Sequence, residues 1–418
     1  MAVMMAAGSL VIPGTTAKAA SEIDHSEEIT ITMMTTEAGT QKFPTEGYVY
    51  DVIKEKFNIN LEVQPIPASD YDTKISTVLA SGQMPDIIDI DADPYCQELV
   101  DAGYLVDVKK FLQDEGLYDR FYPTALRYQE FTDGSMYTLP LEYHVEMIWY
   151  NKDIFKENGV EVPKTMDEWL DVCRTLKDNG ITPISVDGID RWPVQRYIAM
   201  MPFRMTGNEY IINLRDGKAS MGDETGRQAV EFLQEIGQYF NEGFGATDYA
   251  TAQSMFLDGK SAMYYIGDWE QAAMLEAYNA GKVDYFYLPT AEGAKTGANE
   301  FCVNSGIGMA FNTQTFDAKT KDFIKYVIEN YGKIYAGRMQ MSPIKTELPG
   351  DIQFTDLYLR IREDMEKTGE NFLKPWDTYL DVDTNTVMQD NMLLLAAGDM
   401  TVDDFIKIVD DAIASNVK

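Results

Sequence analysis

Three tryptophans in this chain lie beside charged residues, at places where a strand pattern gives way to a helix or a loop. They occur as Arg191-Trp192, Asp268-Trp269-Glu270 and Trp376-Asp377. A flat aromatic ring can stack on the apolar C–H face of a pyranose, while a neighbouring charged group hydrogen-bonds the sugar hydroxyls. We therefore expect these tryptophans to contact a carbohydrate. The alternative is that each indole packs in a surface groove.

Paired acidic residues offer a second kind of chemistry. The pairs nearest to aromatic residues are Glu142 with Glu146 and Asp268 with Glu270. A glycoside hydrolase needs two carboxylates about 5–10 Å apart, flanking the bond that is cleaved. Because the chain carries 68 acidic residues, such pairs arise easily. A secreted glycoside hydrolase or lyase therefore stays open only as an alternative.

The candidate metal-binding and cofactor-binding motifs are incomplete. Asp89, Asp91 and Asp93 have the spacing of the first three ligands of a calcium-binding EF-hand loop. Pro94 then replaces the glycine that the loop requires, and Val100 replaces its final glutamate. The chain has only two histidines and no GxxxxGK[ST] phosphate loop. We expect no metal, no cofactor and no catalytic residues.

The charge balance excludes some partners. The chain has 418 residues, with 35 basic and 68 acidic side chains and a net charge of −33. So acidic a protein repels phosphate backbones and anionic lipid surfaces, which disfavours nucleic acid and membrane surfaces as partners. Three scattered cysteines cannot form a disulfide framework, so we expect buried free thiols.

The N-terminus is typical of an exported protein. Residues 1–12 are apolar and uncharged, and Pro13, Gly14 and Ala17-Lys18-Ala19 follow. This pattern predicts a signal peptide over residues 1–19, cut after Ala19. The alternative is an apolar N-terminal tail. The first cysteine is Cys96, so a lipid anchor is not evident in this chain.

Strand and helix patterns alternate along the chain, which predicts an α/β fold. The predicted strands are Ile29–Thr36, Ile59–Ile66, Ile87–Ile90, Met147–Tyr150, Ser261–Ile266, Val283–Leu288 and Val303–Phe311. Thr165 and Glu168 form a capping box that opens an amphipathic helix. Trp149, within a strand, and Trp169, within that helix, are predicted to be core residues.

Four motifs, in order, resemble those of the extracellular solute-binding proteins of family 1, the carbohydrate-binding components of ABC importers. The motifs are Gly82-Gln-Met-Pro85-Asp86, Asp133-Gly-Ser-Met-Tyr-Thr-Leu-Pro140, Trp149-Tyr150-Asn151-Lys152-Asp153-Ile-Phe155 and Phe256-Leu-Asp-Gly259-Lys-Ser-Ala262-Met263 with Gly267-Asp-Trp269. The likeness to maltodextrin-binding proteins runs over essentially the whole mature chain.

The resemblance implies a fold of two α/β lobes, like the type II periplasmic binding proteins, with an interlobe cleft and a multi-strand hinge. It places the first lobe at residues 27–145 plus 301–348 and the second at 146–300 plus 349–418. It also implies a non-enzymatic monomer, extracellular, on the cell surface or periplasmic, that delivers an oligosaccharide to permease subunits. A small non-sugar ligand such as a glycerol phosphodiester stays open, although Arg191 is the main cation available for a phosphate.

The resemblance also implies a set of ligand-binding residues along the cleft. Trp269 would form the sugar platform, meaning the aromatic face on which the sugar stacks. The full set is Glu37, Asp91, Asp93, His144, Arg191, Trp192, Asp268, Trp269 and Trp376.

Overall fold

The computed structural model describes residues 23–36, 54–67, 70–369 and 371–416. The predicted signal peptide and Glu37 lie outside the described residues. Within the described residues, no helix combines the length and the apolar character that crossing a bilayer requires.

The strands of the described residues form two sheets. Their bounds are β1 Ile29–Thr36, β2 Ile59–Ile66, β3 Ile87–Ile90, β4 His144–Asn151, β5 Thr182–Ser185, β6 Ser261–Gly267, β7 Val283–Phe286, β8 Val303–Asn304 and β9 Gly308–Phe311. One sheet has the order β2-β1-β3-β9, and the other has the order β5-β6-β4-β7, with β8 paired to β4. Two separate sheets confirm the predicted α/β fold with two lobes.

Helices cover the faces of both sheets. Their bounds are α1 Tyr71–Ser81, α2 Pro94–Asp101, α3 Val108–Asp114, α4 Pro123–Gln129, α5 Lys152–Glu157, α6 Met166–Asp178, α7 Trp192–Thr206, α8 Glu209–Arg215, α9 Glu224–Gly237, α10 Tyr249–Leu257, α11 Gln271–Asn279, α12 Ala318–Gly337, α13 Asp356–Glu366, α14 Val382–Ala397 and α15 Val402–Asn416. The predicted capping box is present, because Thr165 accepts from the backbone of Glu168 and Glu168 accepts from the backbone of Thr165.

The first lobe is built on the sheet β2-β1-β3-β9. Strands β1, β2 and β3 run parallel, and β9 closes the edge antiparallel to β3. Helix α12 packs its apolar face, from Phe323 to Tyr335, into the core of this lobe. Burial on both faces explains why β3, Ile87–Ile90, is buried throughout, as parallel strands between helices usually are.

The second lobe is built on the sheet that contains β4 and β6. Strand β4 lies at the centre, antiparallel to β6 and β7. Trp149 on β4 and Trp169 on α6 are both fully buried in the core of this lobe, which confirms their prediction as core residues. Cys96, Cys173 and Cys302 are free and buried, also as predicted.

The prediction of one strand over Val303–Phe311 is wrong, because this segment contributes to both sheets. Its first part, β8, pairs with the start of β4, whereas β9 pairs with β3 of the first lobe. The break falls at Gly306, where the backbone is left-handed with φ +60, and the carboxylate of Glu142 fills the space of a Cβ. The chain therefore crosses between the sheets here. The residue limits given above for the two lobes stay predictions.

Candidate functional site

Trp269 is fixed in orientation by a chain of hydrogen bonds. It lies in a short 3-10 turn, Asp268–Glu270, directly after β6. The indole Nε1 donates to the Tyr249 hydroxyl at 2.9 Å, and that hydroxyl donates to the Glu270 carboxylate. Gln253 donates to the other oxygen of Glu270. Since both partners of Glu270 come from α10, this helix determines the direction of the half-buried ring.

Gly267 is required by the position of that ring. A Cβ at Gly267 would lie 2.0 Å from Cζ3 and 2.3 Å from Cε3 of Trp269. The backbone of Gly267 has φ −81 and ψ 173, which any residue adopts. The glycine is therefore needed only for space, and this gives a physical reason for the Gly267-Asp-Trp269 spacing.

Trp192 contacts Trp269 edge to face, with ring centroids 6.2 Å apart. It is the first residue of α7, and a tight turn at Arg191 precedes it. Arg191 has φ +65, and the Trp192 amide donates to the Asp190 carbonyl at 2.7 Å across this turn. A left-handed backbone at a bulky residue is costly and is found most often at functional sites. The structure thus brings Trp192 and Trp269 together, and their contact with a ligand stays a prediction.

The Arg191 side chain is engaged at the surface. Its guanidinium is exposed and forms an ion pair with Asp390 on α14 at 2.8 Å. Its observed partner is thus a surface carboxylate, and its contact with a ligand stays a prediction.

Arg196 supports Trp192 from within the lobe, and sequence reasoning missed it. Its guanidinium lies 5.0 Å from the centre of the Trp192 ring. It also donates to both oxygens of Glu146 at 3.2 Å and pairs with Asp377 at 3.3 Å. The spacing of four residues from Trp192 on one helix is the sequence feature that could have revealed it.

His144 lies at the start of β4, where that strand pairs with β8. Its Nδ1 is 3.2 Å from Asp268, its Nε2 is 3.8 Å from Glu142, and its ring meets Trp269 edge to face at 5.4 Å. Burial lowers the pKa of His144, but the carboxylates of Asp268, Glu142 and Glu146 outweigh burial and raise it above its ordinary value. His144 and Asp268 are thus adjacent to the Trp269 ring.

Asp268 is engaged within the protein. It is fully buried, and one of its oxygens accepts from the Val145 amide at 2.8 Å. The other oxygen faces His144 Nδ1. Its role in this geometry is to orient His144, and a direct contact with a ligand stays a prediction.

A cavity of about 290 Å³ adjoins Trp269. One wall consists of residues at or after the sheet of the second lobe, and another consists of the segment after helix α12, where Met339 and Met341 pack with the core of the second lobe. The lining residues are His144, Asp268, Trp269, Gln271, Ala272, Leu275, Arg338, Met339, Gln340, Met341, Thr355 and Leu357.

Asp187 of the second lobe has one carboxylate oxygen that accepts no hydrogen bond from the described residues. It is buried just after β5, and its Oδ1 accepts from the Asp190 amide at 3.1 Å. Its Oδ2 has no hydrogen-bond partner within the described residues, and the same holds for the buried Tyr264 hydroxyl. Burial raises the pKa of Asp187 to about 6. The sequence offers no feature that separates Asp187 from other acidic residues.

Asp91 and Asp93 follow β3 of the first lobe. Asp93 caps helix α2 by accepting from the Cys96 amide at 2.9 Å. The buried Lys374 lies within electrostatic range of both carboxylates and donates to the Tyr128 carbonyl at 2.7 Å. Burial lowers the pKa of Lys374 to about 8, against the opposing effect of the carboxylates. Lys374 was not predicted, because nothing in its local sequence marks it as buried.

Trp376 is placed differently from the other two tryptophans. It is 2% exposed, and its ring packs against Tyr210 at 6.1 Å. The neighbouring Asp377 forms an ion pair with Arg196, whose guanidinium lies over the Trp192 ring. A ligand contact of Trp376 stays a prediction, whereas Glu37 lies outside the described residues.

A sequence profile of the bacterial extracellular solute-binding proteins matches residues 42–333. The chain belongs to this family. This solute-binding protein is 26% identical over 306 residues to the multiple sugar-binding protein of Streptococcus mutans, across 70% of this chain and 71% of that protein. It is 24% identical over 259 residues to an uncharacterised ABC transporter extracellular-binding protein of Pyrococcus horikoshii, across 59% and 58% of the two. The chain thus spans little more than half of the second relative.

The fold of this solute-binding protein is similar to that of a chitin oligosaccharide binding protein of known structure. The TM-score is 0.75 at 22% identity, and the match covers 93% of this chain and 99% of that one. At this identity the similarity establishes the fold alone, and the class of ligand is inferred from the residues of the site.

The chemistry available at the site of this solute-binding protein is stacking and hydrogen bonding. Two half-buried tryptophans stand together, with charged and amide side chains around them. Of the four acidic residues considered for hydrolysis, Glu146 is paired with Arg196, Asp268 is bonded to His144, Glu270 is bonded within the lobe, and Glu142 lies 3.8 Å from His144. These carboxylates are therefore engaged in ion pairs and hydrogen bonds within the protein.

Proposed function

We propose that this protein is the extracellular carbohydrate-binding component of an ABC importer, and that it has no catalytic activity. The observation that carries the proposal is the fixed orientation of Trp269. Its indole is held by Tyr249, contacts Trp192 edge to face and lines a cavity of about 290 Å³. A rigid aromatic face beside polar groups is suited to stacking on a sugar ring.

Membership of the family supports transport rather than catalysis. A hydrolase needs one carboxylic acid that stays protonated near neutral pH and a second that stays ionised beside the bond. Glu146 is held in a buried ion pair, and Asp268 and Glu270 are hydrogen-bonded to neighbouring side chains. These roles leave the three groups ill-suited to proton transfer to a substrate.

The connection between the lobes supports capture by closure. Strands β4 and β8 pass side by side at His144–Asn304 and Val145–Val303, where both segments leave one sheet for the other. Small backbone changes at such adjacent crossings can rotate one lobe against the other around a bound ligand. The closed form would then dock on permease subunits outside the membrane, with the protein acting as a monomer.

The proposal is tested by isothermal titration and thermal shift with a panel of maltotriose, chitotriose, xylotriose and raffinose. At least one sugar should stabilise the protein saturably without release of reducing ends. Trp269→Ala and Trp192→Ala should each weaken binding of that sugar by about 1–3 kcal/mol, by analogy with loss of an aromatic stacking partner.

Tyr278→Ala is the matched control, because it removes a half-buried aromatic side chain of α11 that does not line the cavity. This variant should bind the sugar normally. Turnover of any sugar of the panel, abolished by a change of one acidic residue, would overturn the proposal.

A further inference from the structure

Helix α12 ends with an unusual residue in a common motif. After Gly337, the Met339 amide donates to the Ala336 carbonyl and the Gln340 amide donates to the Tyr335 carbonyl, both at 2.9 Å. These two bonds define a Schellman cap, in which the residue at the position of Met339 takes a left-handed backbone and is usually glycine. Met339 has φ +56. The chain thus has a large side chain at a position where the backbone conformation favours glycine.

The strain at Met339 would disappear if glycine stood there. A left-handed backbone is disfavoured for residues with a Cβ and is unrestricted for glycine. Such strain tends to occur at functional sites, where the side chain is needed in one place. The question is therefore what the Met339 side chain contacts.

Met339 lines the cavity of about 290 Å³ that Trp269 also lines. Helix α12 belongs to the core of the first lobe, whereas Met339, after the end of that helix, packs against the core of the second lobe, as Trp269 does. Both side chains are half-buried, so each has atoms that a bound molecule can cover. The flanking Arg338 and Gln340 line the same cavity and supply hydrogen-bond donors.

The size of the cavity limits what it can hold. Ligand pockets usually measure about 300–1,000 Å³, so a cavity at the lower end of this range suits one ring rather than a whole oligosaccharide. Trp269 and Met339 are apolar, and Arg338, Gln340 and Gln271 are polar. This mixture matches a sugar ring, with C–H groups on its faces and hydroxyls around its edge.

We propose that Met339 and Trp269 form a subsite for a single sugar ring, with Arg338 and Gln340 binding its hydroxyls. The inference rests on the proposed function and adds to it the residues after helix α12 that contact the ligand. Met339, with its left-handed backbone, would contact the ligand, because the polarizable methionine side chain packs well against irregular surfaces.

The Met339→Gly variant distinguishes an effect on the stability of the fold from an effect on sugar affinity. Glycine relieves the backbone strain but removes the packing of Met339 on the core of the second lobe, so the variant should unfold at a temperature close to that of the wild type. Its dissociation constant for whichever of maltotriose, chitotriose, xylotriose and raffinose binds the wild type should rise about fivefold to thirtyfold, since apolar contacts are lost. Met339→Leu should keep nearly the wild-type affinity, because it keeps the apolar bulk.

Asn58→Gly is the matched control. Asn58 also has a left-handed backbone, with φ +50, but it lies before β2 and does not line the cavity. This variant should leave sugar affinity unchanged. Unchanged affinity in Met339→Gly, together with lost affinity in Trp269→Ala, would overturn the subsite and leave the proposed function standing. If no sugar binds the wild type, both proposals are wrong.

Discussion

Substitution of Gly267 by alanine tests whether the position of the Trp269 ring determines binding. An alanine Cβ would lie 2.0, 2.3 and 2.5 Å from three carbons of the indole six-membered ring. Real Cβ contacts essentially never fall below 3.0 Å, so the indole has to move by about an ångström or rotate. The backbone, at φ −81, accepts alanine without strain, so the whole effect passes through Trp269.

The magnitude follows from the contacts that this movement breaks. Displacement of the indole breaks the hydrogen bond from Nε1 to Tyr249, which contributes about 0.5–1.5 kcal/mol to stability. Overpacking of a well-packed region costs about 1–3 kcal/mol in addition. Sugar affinity should fall by nearly as much as in Trp269→Ala, about 1–3 kcal/mol, because the stacking face is turned out of place.

The assay combines titration calorimetry with the sugar that binds the wild type, urea unfolding, and tryptophan fluorescence, which reports the new surroundings of the indole. Gly245→Ala is the control, because a Cβ at Gly245 meets nothing within 4 Å. It should change neither affinity nor emission. A Gly267→Ala variant that binds sugar as tightly as the wild type would show that the observed ring position is not the binding position.

Three further outcomes are expected. Carboxylates raise the pKa of His144 above 6.5, so its protonated ring stabilises the fold fully below about pH 6.5, and this contribution is lost as the pH rises through the raised value. The melting temperature of the wild type should therefore fall relative to His144→Gln above that pH, and parallel melting curves would contradict the assigned contacts. Because Trp376 is 2% exposed, Trp376→Ala should lower the free energy of unfolding in urea by about 3–5 kcal/mol, whereas a loss below about 1 kcal/mol would contradict its packing on Tyr210. Small-angle scattering should show a smaller radius of gyration with saturating sugar than without, and an unchanged profile would argue against closure.

Local patterns were sufficient for most secondary structure. The strand predictions over Ile29–Thr36, Ile59–Ile66 and Ile87–Ile90 agree with the bounds of β1, β2 and β3. The capping box at Thr165 opens α6 as expected. These features depend on periodicity and on contacts between residues close in sequence, so they can be read without the fold. The single strand expected over Val303–Phe311 failed because its two parts pair with strands of different lobes.

The sequence by itself determined the α/β class, the motifs of the family and the role of Trp269 as the main candidate for stacking. The Gly267-Asp-Trp269 spacing contains that information locally, because the glycine exists to make room for the ring. Only the tertiary structure decided what surrounds the ring. Tyr249 and Met339 come from 20 residues before and 70 residues after Trp269, and they reach it through the packing of α10 and the end of α12. Burial likewise separated Trp376 from Trp192, although both lie beside a charged residue in the sequence. Such contacts follow from how distant helices and loops pack on the core of the second lobe, and spacing along the chain does not encode them.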